Sequence, residues 1–485
     1  MITPARMAAV DANAAALGVP RKQLMESSGA AVARAVRDVA AADATVAMVC
    51  GRGNNGGDAM VAARFLDDLD PTVHLLGRPG TLRTDITREN WDALRAAELD
   101  ARIVRDSRDL DLGDPDVAVD AMLGTGATGA PREPEASAVR AVNGADAAVV
   151  SVDVPTGVDA ATGEAPGVAV DADRVVTFHD DKPGLADLDA AVTLADIGIP
   201  DAAERLVGPG DLLGLDRDPD SHKGENGEVL VVGGGPYTGA PALAARAAGR
   251  AGADLVRVAC PSAVAREVQG FDAGLVVRPF AGDRLTTDAV TDLLDLAAGN
   301  DAVVIGPGLG DDEATRAAVG EFLDGFDGRA VVDADALGAV PEAATDATLV
   351  CTPHAGELAG MGFPVEGDDR RAREAAASRA AADLGATVLL KGRHDVSADG
   401  ERTRVNRTGT PAMTVGGTGD VLAGATAALL CGATGRPPLN AAAVGAHVTG
   451  LAGELAAGDR HRGLSAADVI EALPAALGGE AGDRI

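Results

Sequence analysis

The sequence predicts an α/β protein of two domains in series, each built on a parallel sheet covered by helices on both faces. Three observations carry that prediction. Short apolar runs alternate with Ala-rich segments along the whole chain, which is the pattern of parallel strands and crossover helices. The runs show no polar alternation, so the strands are buried on both faces. A polar, turn-forming stretch interrupts the pattern near residues 208–222, where Gly208-Pro209-Gly210 leads into Asp216-Arg217-Asp218-Pro219-Asp220. At 485 residues the chain exceeds one ordinary core, since about 100–200 residues make a domain. The predicted domains span residues 1–212 and 213–485.

In the first half the predicted strands are Val46–Val49, Thr72–Leu76, Val117–Val119, Ala147–Val152 and Arg174–Thr177. In the second they are Val229–Val232, Leu255–Val258, Ala302–Ile305, Ala330–Val332, Thr348–Cys351 and Val388–Leu390. Segments rich in Ala and Arg, such as Pro241–Ala251 and Arg371–Ala382, read as helices between them.

Acidic residues outnumber basic ones by 74 to 42, for a formal net charge of −32. Such a field disfavours nucleic acid and anionic membrane as partners. It leaves room for a small anion held by backbone amides and local cations. The scattered acids fit a solvated surface adapted to high salt, where repulsion is screened. A GC-rich genome explains the Arg and Ala bias equally well. Cys50, Cys260, Cys351 and Cys431 lie far apart without a C-x-x-C pair, which argues against zinc or a disulfide framework. The N-terminus lacks a signal pattern and no stretch approaches the ~20 apolar residues of a membrane span. A soluble, cytoplasmic protein is expected.

The strand at Val46–Val49 runs into Cys50-Gly51-Arg52-Gly53-Asn54-Asn55-Gly56-Gly57-Asp58, with a helix expected from Ala59 to Leu66. A glycine turn between strand and helix offers backbone amides to an anion. The side-chain oxygens of Asn54, Asn55 and Asp58 add the means to hold a cation or orient polar groups. This is not the G-x-G-x-x-G dinucleotide fingerprint. Two later strands also end in carboxylates: Val119-Asp120 continues to Gly124-Thr125-Gly126, and Val152-Asp153 to Pro155-Thr156-Gly157. Ligands of parallel sheets bind at strand carboxyl ends, so the three sets point to one cleft.

This constellation resembles the NAD(P)H-hydrate epimerase domain, also called the YjeF N-terminal domain. Leu24-Met25-Glu26-Ser27-Ser28-Gly29 and Lys182-Pro183-Gly184-Leu185 match as well. The resemblance implies a Rossmann-like three-layer domain. It implies that Asn54, Asn55, Gly56, Gly57 and Asp58 bind the hydrated cofactor. Gly124, Thr125, Gly126, Ala127, Thr128, Gly129 and Ala130 would line it. A potassium ion would sit on Asn55, Asp120 and Thr156, where hard oxygen ligands suit it. Asp153 would contact the nicotinamide as acid or base. Thr156 stands where the family usually has Ser, and Ala59 where it has Gly. Three of the four lysines, Lys182, Lys223 and Lys391, lie in glycine-flanked segments of a chain that otherwise uses Arg, which suggests a specific need for them.

In the second half, Gly416-Gly417-Thr418-Gly419-Asp420 precedes an apolar helix beginning at Val421. The loop would present amides and a helix dipole to phosphate, with Asp420 placed to take a proton from an attacking hydroxyl. The plainer alternative is a helix cap. Gly-Thr-Gly-Asp before a helix resembles the ribokinase-like α/β/α fold. Adding Val232-Gly233-Gly234-Gly235, Tyr237-Thr238-Gly239-Ala240, Gly306-Pro307-Gly308-Leu309-Gly310, Val332-Asp333-Ala334-Asp335, Thr352-Pro353-His354-Ala355-Gly356-Glu357 and Lys391-Gly392-Arg393-His394-Asp395 makes the half similar to the ADP-dependent NAD(P)H-hydrate dehydratases.

That resemblance implies that Ala240, Gly310, His354 and Asp420 contact the hydrated nucleotide. Lys391, Gly392, Arg393, His394 and Asp395, with Gly419, would hold ADP, and Asp420 would be the base. Magnesium would accompany the phosphates. The family's Lys-Gly-Asp-Phe-Gly appears as Lys223-Gly224-Glu225-Asn226-Gly227, and its Pro-His-Pro-Gly-Glu as Pro353-His354-Ala355-Gly356-Glu357. The implied partners are hydrated NADH, hydrated NADPH and ADP, in a homo-oligomer. The implied activity is repair: the first domain epimerises the hydrate and the second dehydrates it with conversion of ADP to AMP and phosphate. Two other classes remain open from the residues: a small-molecule kinase fused to a nucleotide-binding domain, and a first domain that only binds.

Overall fold

The computed structural model describes residues 1–367, 369–431, 436–460 and 462–478. Contacts divide the chain into two compact units, Met1–Asp201 and Ala202–Ile485.

The first unit holds a seven-stranded sheet: β1 (Val46–Cys50), β2 (Thr72–Leu76), β3 (Ala101–Val104), β4 (Val117–Ala121), β5 (Ala148–Val152), β6 (Arg174–Phe178) and β7 (Ala191–Ala195). Their order is β3-β2-β1-β4-β5-β6-β7, and every pairing is parallel. The strand order reverses between β1 and β4, so a crevice opens at their carboxyl ends. β1 and β4 are buried throughout, as strands covered on both faces must be.

The second unit holds nine strands: β8 (Glu228–Val232), β9 (Leu255–Pro261), β10 (Val276–Phe280), β11 (Ala302–Ile305), β12 (Arg329–Val332), β13 (Thr348–Cys351), β14 (Thr387–Leu390), β15 (Asp395–Ala398) and β16 (Thr403–Asn406). They lie in the order β10-β9-β8-β11-β12-β13-β14-β15-β16. Side-chain alternation builds the three layers. Val229 and Val231 face a core shared with helices Gly239–Arg250, Thr418–Leu430, Pro438–Ala457 and Ala466–Leu477. Leu230 and Val232 face the opposite core, filled from helices Glu313–Gly325 and Arg370–Leu384.

The structure differs from expectation in three respects. The second sheet is not wholly parallel, because β14–β15 and β15–β16 pair antiparallel. The unit boundary falls at residue 201 rather than 212. Residues 202–212 join the second unit: among other contacts, Val207 N donates to Val405 O at 3.0 Å, and buried Arg404 places Nη2 2.8 Å from both carboxylate oxygens of Asp211. Finally, the Asn-Asn-Gly-Gly-Asp stretch is helical: the helix is Asn54–Phe65, with Gly53 as its N-cap.

All four cysteines are buried free thiols. Burial pushes each thiol pKa up. Among the described residues no helix is long and apolar enough to cross a membrane.

Candidate functional sites

In the first unit a cavity of about 340 Å³ opens at the crevice. It brings together Asn54, Asn55, Asp58, Gly124, Thr125, Gly126, Ala127 and Asp153 from the residues expected there. Gly56 and Gly57 are buried behind its wall. Gly56 serves close approach: a Cβ there would lie 2.2 Å from Gly51 O. The remaining members of the expected lining, Thr128, Gly129 and Ala130, are exposed and do not line the cavity.

Asp153 follows β5 with φ +65°, a left-handed conformation that few residues other than glycine adopt and that Asp tolerates better than most. Lys182 is 1% exposed, and its Nζ lies 2.8 Å from Asp153 Oδ1. The same ammonium donates to Phe178 O at 2.7 Å, and Thr177 Oγ1 donates to Asp153 Oδ1 at 3.2 Å. The buried lysine thus has both a counter-charge and a carbonyl acceptor. Asp58 accepts from Ser28 Oγ. Burial holds the Asp58 carboxyl well above the usual range, against that donor.

Behind the cavity is an oxygen-rich niche. Asp120 is fully buried and accepts from Thr156 Oγ1 at 2.7 Å, Thr156 N at 2.8 Å and Ser151 Oγ at 2.9 Å. Burial nonetheless raises its pKa. Asn55 Nδ2 donates to Leu123 O at 3.0 Å, while Asn55 Oδ1 is buried with no hydrogen-bond partner. An unsatisfied acceptor beside a buried carboxylate and a hydroxyl is a donor set that fits a hard monovalent cation.

Sequence reasoning missed Asp11, Arg21, Arg52 and Arg83, which all line the cavity. Arg21 and Arg83 sit outside the quoted motifs, and Arg52 was quoted in one without a role. Their one signal was their neighbourhood: Arg52 lies inside the glycine stretch and Arg21 opens the helix Arg21–Val39.

In the second unit a cavity of about 800 Å³ is lined by all the residues expected to hold a nucleotide: Lys391, Gly392, Arg393, His394, Asp395 and Gly419. Arg407, Thr408, Thr410 and Thr414 add polar walls, and Met413 and Leu422 apolar ones. Helix Thr418–Leu430 begins two residues before the acid, with Gly417 as N-cap at φ +91°. A side chain at Gly417 would be strained there. Asp420 is therefore a first-turn residue, not the cap. Its carboxyl makes no hydrogen bond to the described residues, although its backbone is part of the helix. Burial, then the nearby Asp333, raise its pKa from 3.8 to about 7, with Lys391 pulling the other way.

Lys391 follows β14, and its Nζ lies 2.8 Å from Asp333 Oδ1 and 3.6 Å from Glu357 Oε2. Burial works to lower the lysine's pKa, but Asp333, Glu357 and Asp420 outweigh it and raise it. Gly419 lies against the ammonium, which is 3.5 Å from where a Cβ on that glycine would be. Gly310 N donates to Asp335 Oδ2 at 2.7 Å. Ala240 packs beside Gly308 across the mouth of β8 and β11. His354 is a helix cap: its Nδ1 accepts from Glu357 N at 3.0 Å, and Glu357 Oε2 accepts from His354 N at 2.6 Å. Its side chain remains 60% exposed. Ala240, Gly310, His354 and Asp420 stand at strand or helix ends and do not line the nucleotide-sized cavity. Asp333 and Glu357 were quoted in motifs but given no role; their ion pairs with Lys391 supply one.

Comparison with known proteins settles the family. Residues 21–184 match the model described as YjeF-related protein N-terminus, and residues 229–475 the model for NAD(P)H-hydrate dehydratase. The bifunctional NAD(P)H-hydrate repair enzyme of Methanothermobacter thermautotrophicus is 42% identical over 98% of this chain and 95% of its own. That of Pyrobaculum aerophilum is 44% identical over 98% of this chain and 97% of its own. The chain belongs to the bifunctional NAD(P)H-hydrate repair enzyme family. The second unit is ribokinase-like in fold. A ribokinase-like superfamily protein from Enterococcus faecalis V583 superposes with a TM-score of 0.50 at 24% identity, covering 56% of this chain and 95% of that one. The members of the repair family carry an epimerase and a dehydratase domain in one chain, and so does this protein.

Proposed function

We propose that the first domain interconverts the R and S epimers of hydrated NADH and NADPH at Asp153, and that the second dehydrates the S epimer while ADP becomes AMP and phosphate. The observation that carries the reading is Asp420: a half-buried carboxyl with no hydrogen-bond partner among the described residues and a pKa of about 7, next to the amide of Gly419 and the Lys391 ammonium. A group poised near neutrality is suited to general-base work.

The hydrate carries a hydroxyl at C6, and hydroxide is a poor leaving group. Asp420 takes the hydroxyl proton as the oxygen attacks the terminal phosphorus of ADP and AMP departs. The amides at Gly417–Gly419 and the helix dipole receive the charge that builds on the moving phosphoryl group. Lys391 adds a fixed positive charge. Phosphate then leaves with the C6–O electron pair, C5 gives up a proton, and the ring double bond returns. Magnesium, if bound with the nucleotide beside residues 391–395 and Gly419, would supply counter-charge to its phosphates.

In the first domain Asn55, Asp120 and Thr156 would hold potassium, which supplies a fixed charge to neutralise the buried carboxylate. Arg21, Arg52 and Arg83 meet the phosphates of the hydrated dinucleotide. Ala240, Gly310 and His354 border the hydrate in the second domain. The protein works as a cytoplasmic homo-oligomer, and its acidic surface suits high internal salt.

The test is to supply each epimer of hydrated NADH with ADP, or with ATP. Restored NADH with AMP and orthophosphate in equal amounts is expected from ADP. A stable phosphorylated product would replace this reading with a kinase.

A further inference from the structure

From the cluster of ionisable side chains in the first cavity we infer that Asp11 is a second catalytic residue of the epimerase, the acid that works opposite Asp153. This rests on the epimerase reading above. Asp11 lies on helix Pro4–Ala16 and lines the same cavity as Asp58, Asp153 and Lys182. The helix is docked on the segment that carries Lys182: Ile2 N donates to Asp181 O at 2.7 Å, and Ile2 is buried. The charged and titratable groups that face Asp11 come from several elements. They are Arg21 on the following helix, Asp153 after β5, His179 and Lys182 after β6, and Asp58 on helix Asn54–Phe65.

The two carboxyl groups have different surroundings. Asp153 has the Lys182 ammonium at 2.8 Å. Asp11 forms no ion pair among the described residues, and burial raises its pKa from 3.8 to about 6, with Arg21 opposing and Asp153 adding to the rise. A pair of carboxyls in contrasting environments is the arrangement that divides acid from base.

The chemistry needs both. The stereocentre is a carbinolamine carbon bearing the hydroxyl and the ring nitrogen N1. Asp153 takes the hydroxyl proton, the C6–O bond becomes a carbonyl, and the C6–N1 electron pair goes to N1 as Asp11 delivers a proton there. After rotation of the open aldehyde, N1 attacks its other face. Asp11 recovers its proton from N1, and Asp153 returns its own to the new hydroxyl. No oxidant or reductant is consumed, and both carboxyls end as they began.

The experiment compares the wild-type protein with Asp11→Asn, following exchange between the separated epimers of hydrated NADH in the absence of ADP. The turnover rate is expected to fall about 30-fold or more, while KM changes less than about threefold. In the wild type, kcat/KM should decline as pH rises through about 6, as Asp11 loses its proton, and that limb should vanish in the variant. Because burial penalises the ionised form, Asp11→Asn should melt no lower than wild type at about pH 8, which separates catalysis from folding. A variant that epimerises within about threefold of wild type, or keeps the limb, overturns the inference alone. A wild-type protein that exchanges the epimers no faster than buffer overturns the epimerase reading itself.

Discussion

Each domain spends one of the chain's scarce lysines on an ion pair with an aspartate after a strand, yet the two pairs are wired differently. In the first domain Lys182 binds the proposed catalytic Asp153 directly, at 2.8 Å and 1% exposure. In the second, Lys391 is 19% exposed and binds Asp333, while the proposed base Asp420 stands free of any pair among the described residues. The first arrangement fixes a carboxylate in place beside a buried cation. The second leaves a carboxyl free to change its proton near neutrality, which a base for phosphoryl transfer requires. A shared residue type therefore does two jobs: clamp in one domain, counter-charge in the other.

The sharpest way to break that contrast is Asp420→Asn. Loss of ADP-dependent dehydration by about 10²–10⁴-fold is expected, with epimer exchange unchanged, both read by separating the epimers chromatographically. Next in size is Lys391→Met. It leaves Asp333, 2% exposed, without its cation, which should cost about 3–5 kcal/mol in a denaturant titration. Lys182→Met should cost clearly less stability, because Asp153 is 14% exposed at the cavity and water reaches it; equal losses would mean that the two ion pairs brace the fold alike.

A smaller effect is the pH response of the second domain. Wild-type kcat/KM for dehydration should rise with pH through about 7 as Asp420 ionises. Stability moves the other way. A carboxyl whose proton is held more tightly in the fold than in the open chain contributes less stability as pH climbs from 3.8 to about 7. Asp420→Asn should then melt at or above wild type at about pH 8, and a markedly lower melting temperature would mean that Asp420 braces the fold. Smallest is His354→Asn. Its capping hydrogen bond can be kept by the amide, so stability should change by under ~1 kcal/mol. Any rise in KM for the hydrate then reports ligand contact by the exposed ring.

What the sequence made legible follows from burial. Central strands such as β1, β4 and β11 are continuous apolar runs because helices cover both faces. The strands that escaped notice are edges or near-edges. In β7 the first four residues are exposed, in β3 the middle two, and β10 is half open, so none is forced to be uniformly apolar. β15 and β16 form a polar hairpin whose buried Ser397 and Arg404 break the pattern. The glycine segments were readable because backbone must approach backbone there, as at Gly56. Asp11, Arg21 and Arg83 were not, since a lone charged residue on an amphipathic helix or a loop looks the same whether it faces solvent or a cavity. The Lys391–Asp333 partnership joins residues 58 apart in sequence, and only the sheet order β12-β13-β14 makes them neighbours.

The buried thiols have a practical corollary. With Cys50, Cys260, Cys351 and Cys431 all shielded and harder to deprotonate, the native surface offers electrophilic reagents little to attack. One engineered surface cysteine would be labelled selectively by a maleimide dye without first stripping the natural ones, so distance changes during turnover become measurable in an otherwise unaltered enzyme.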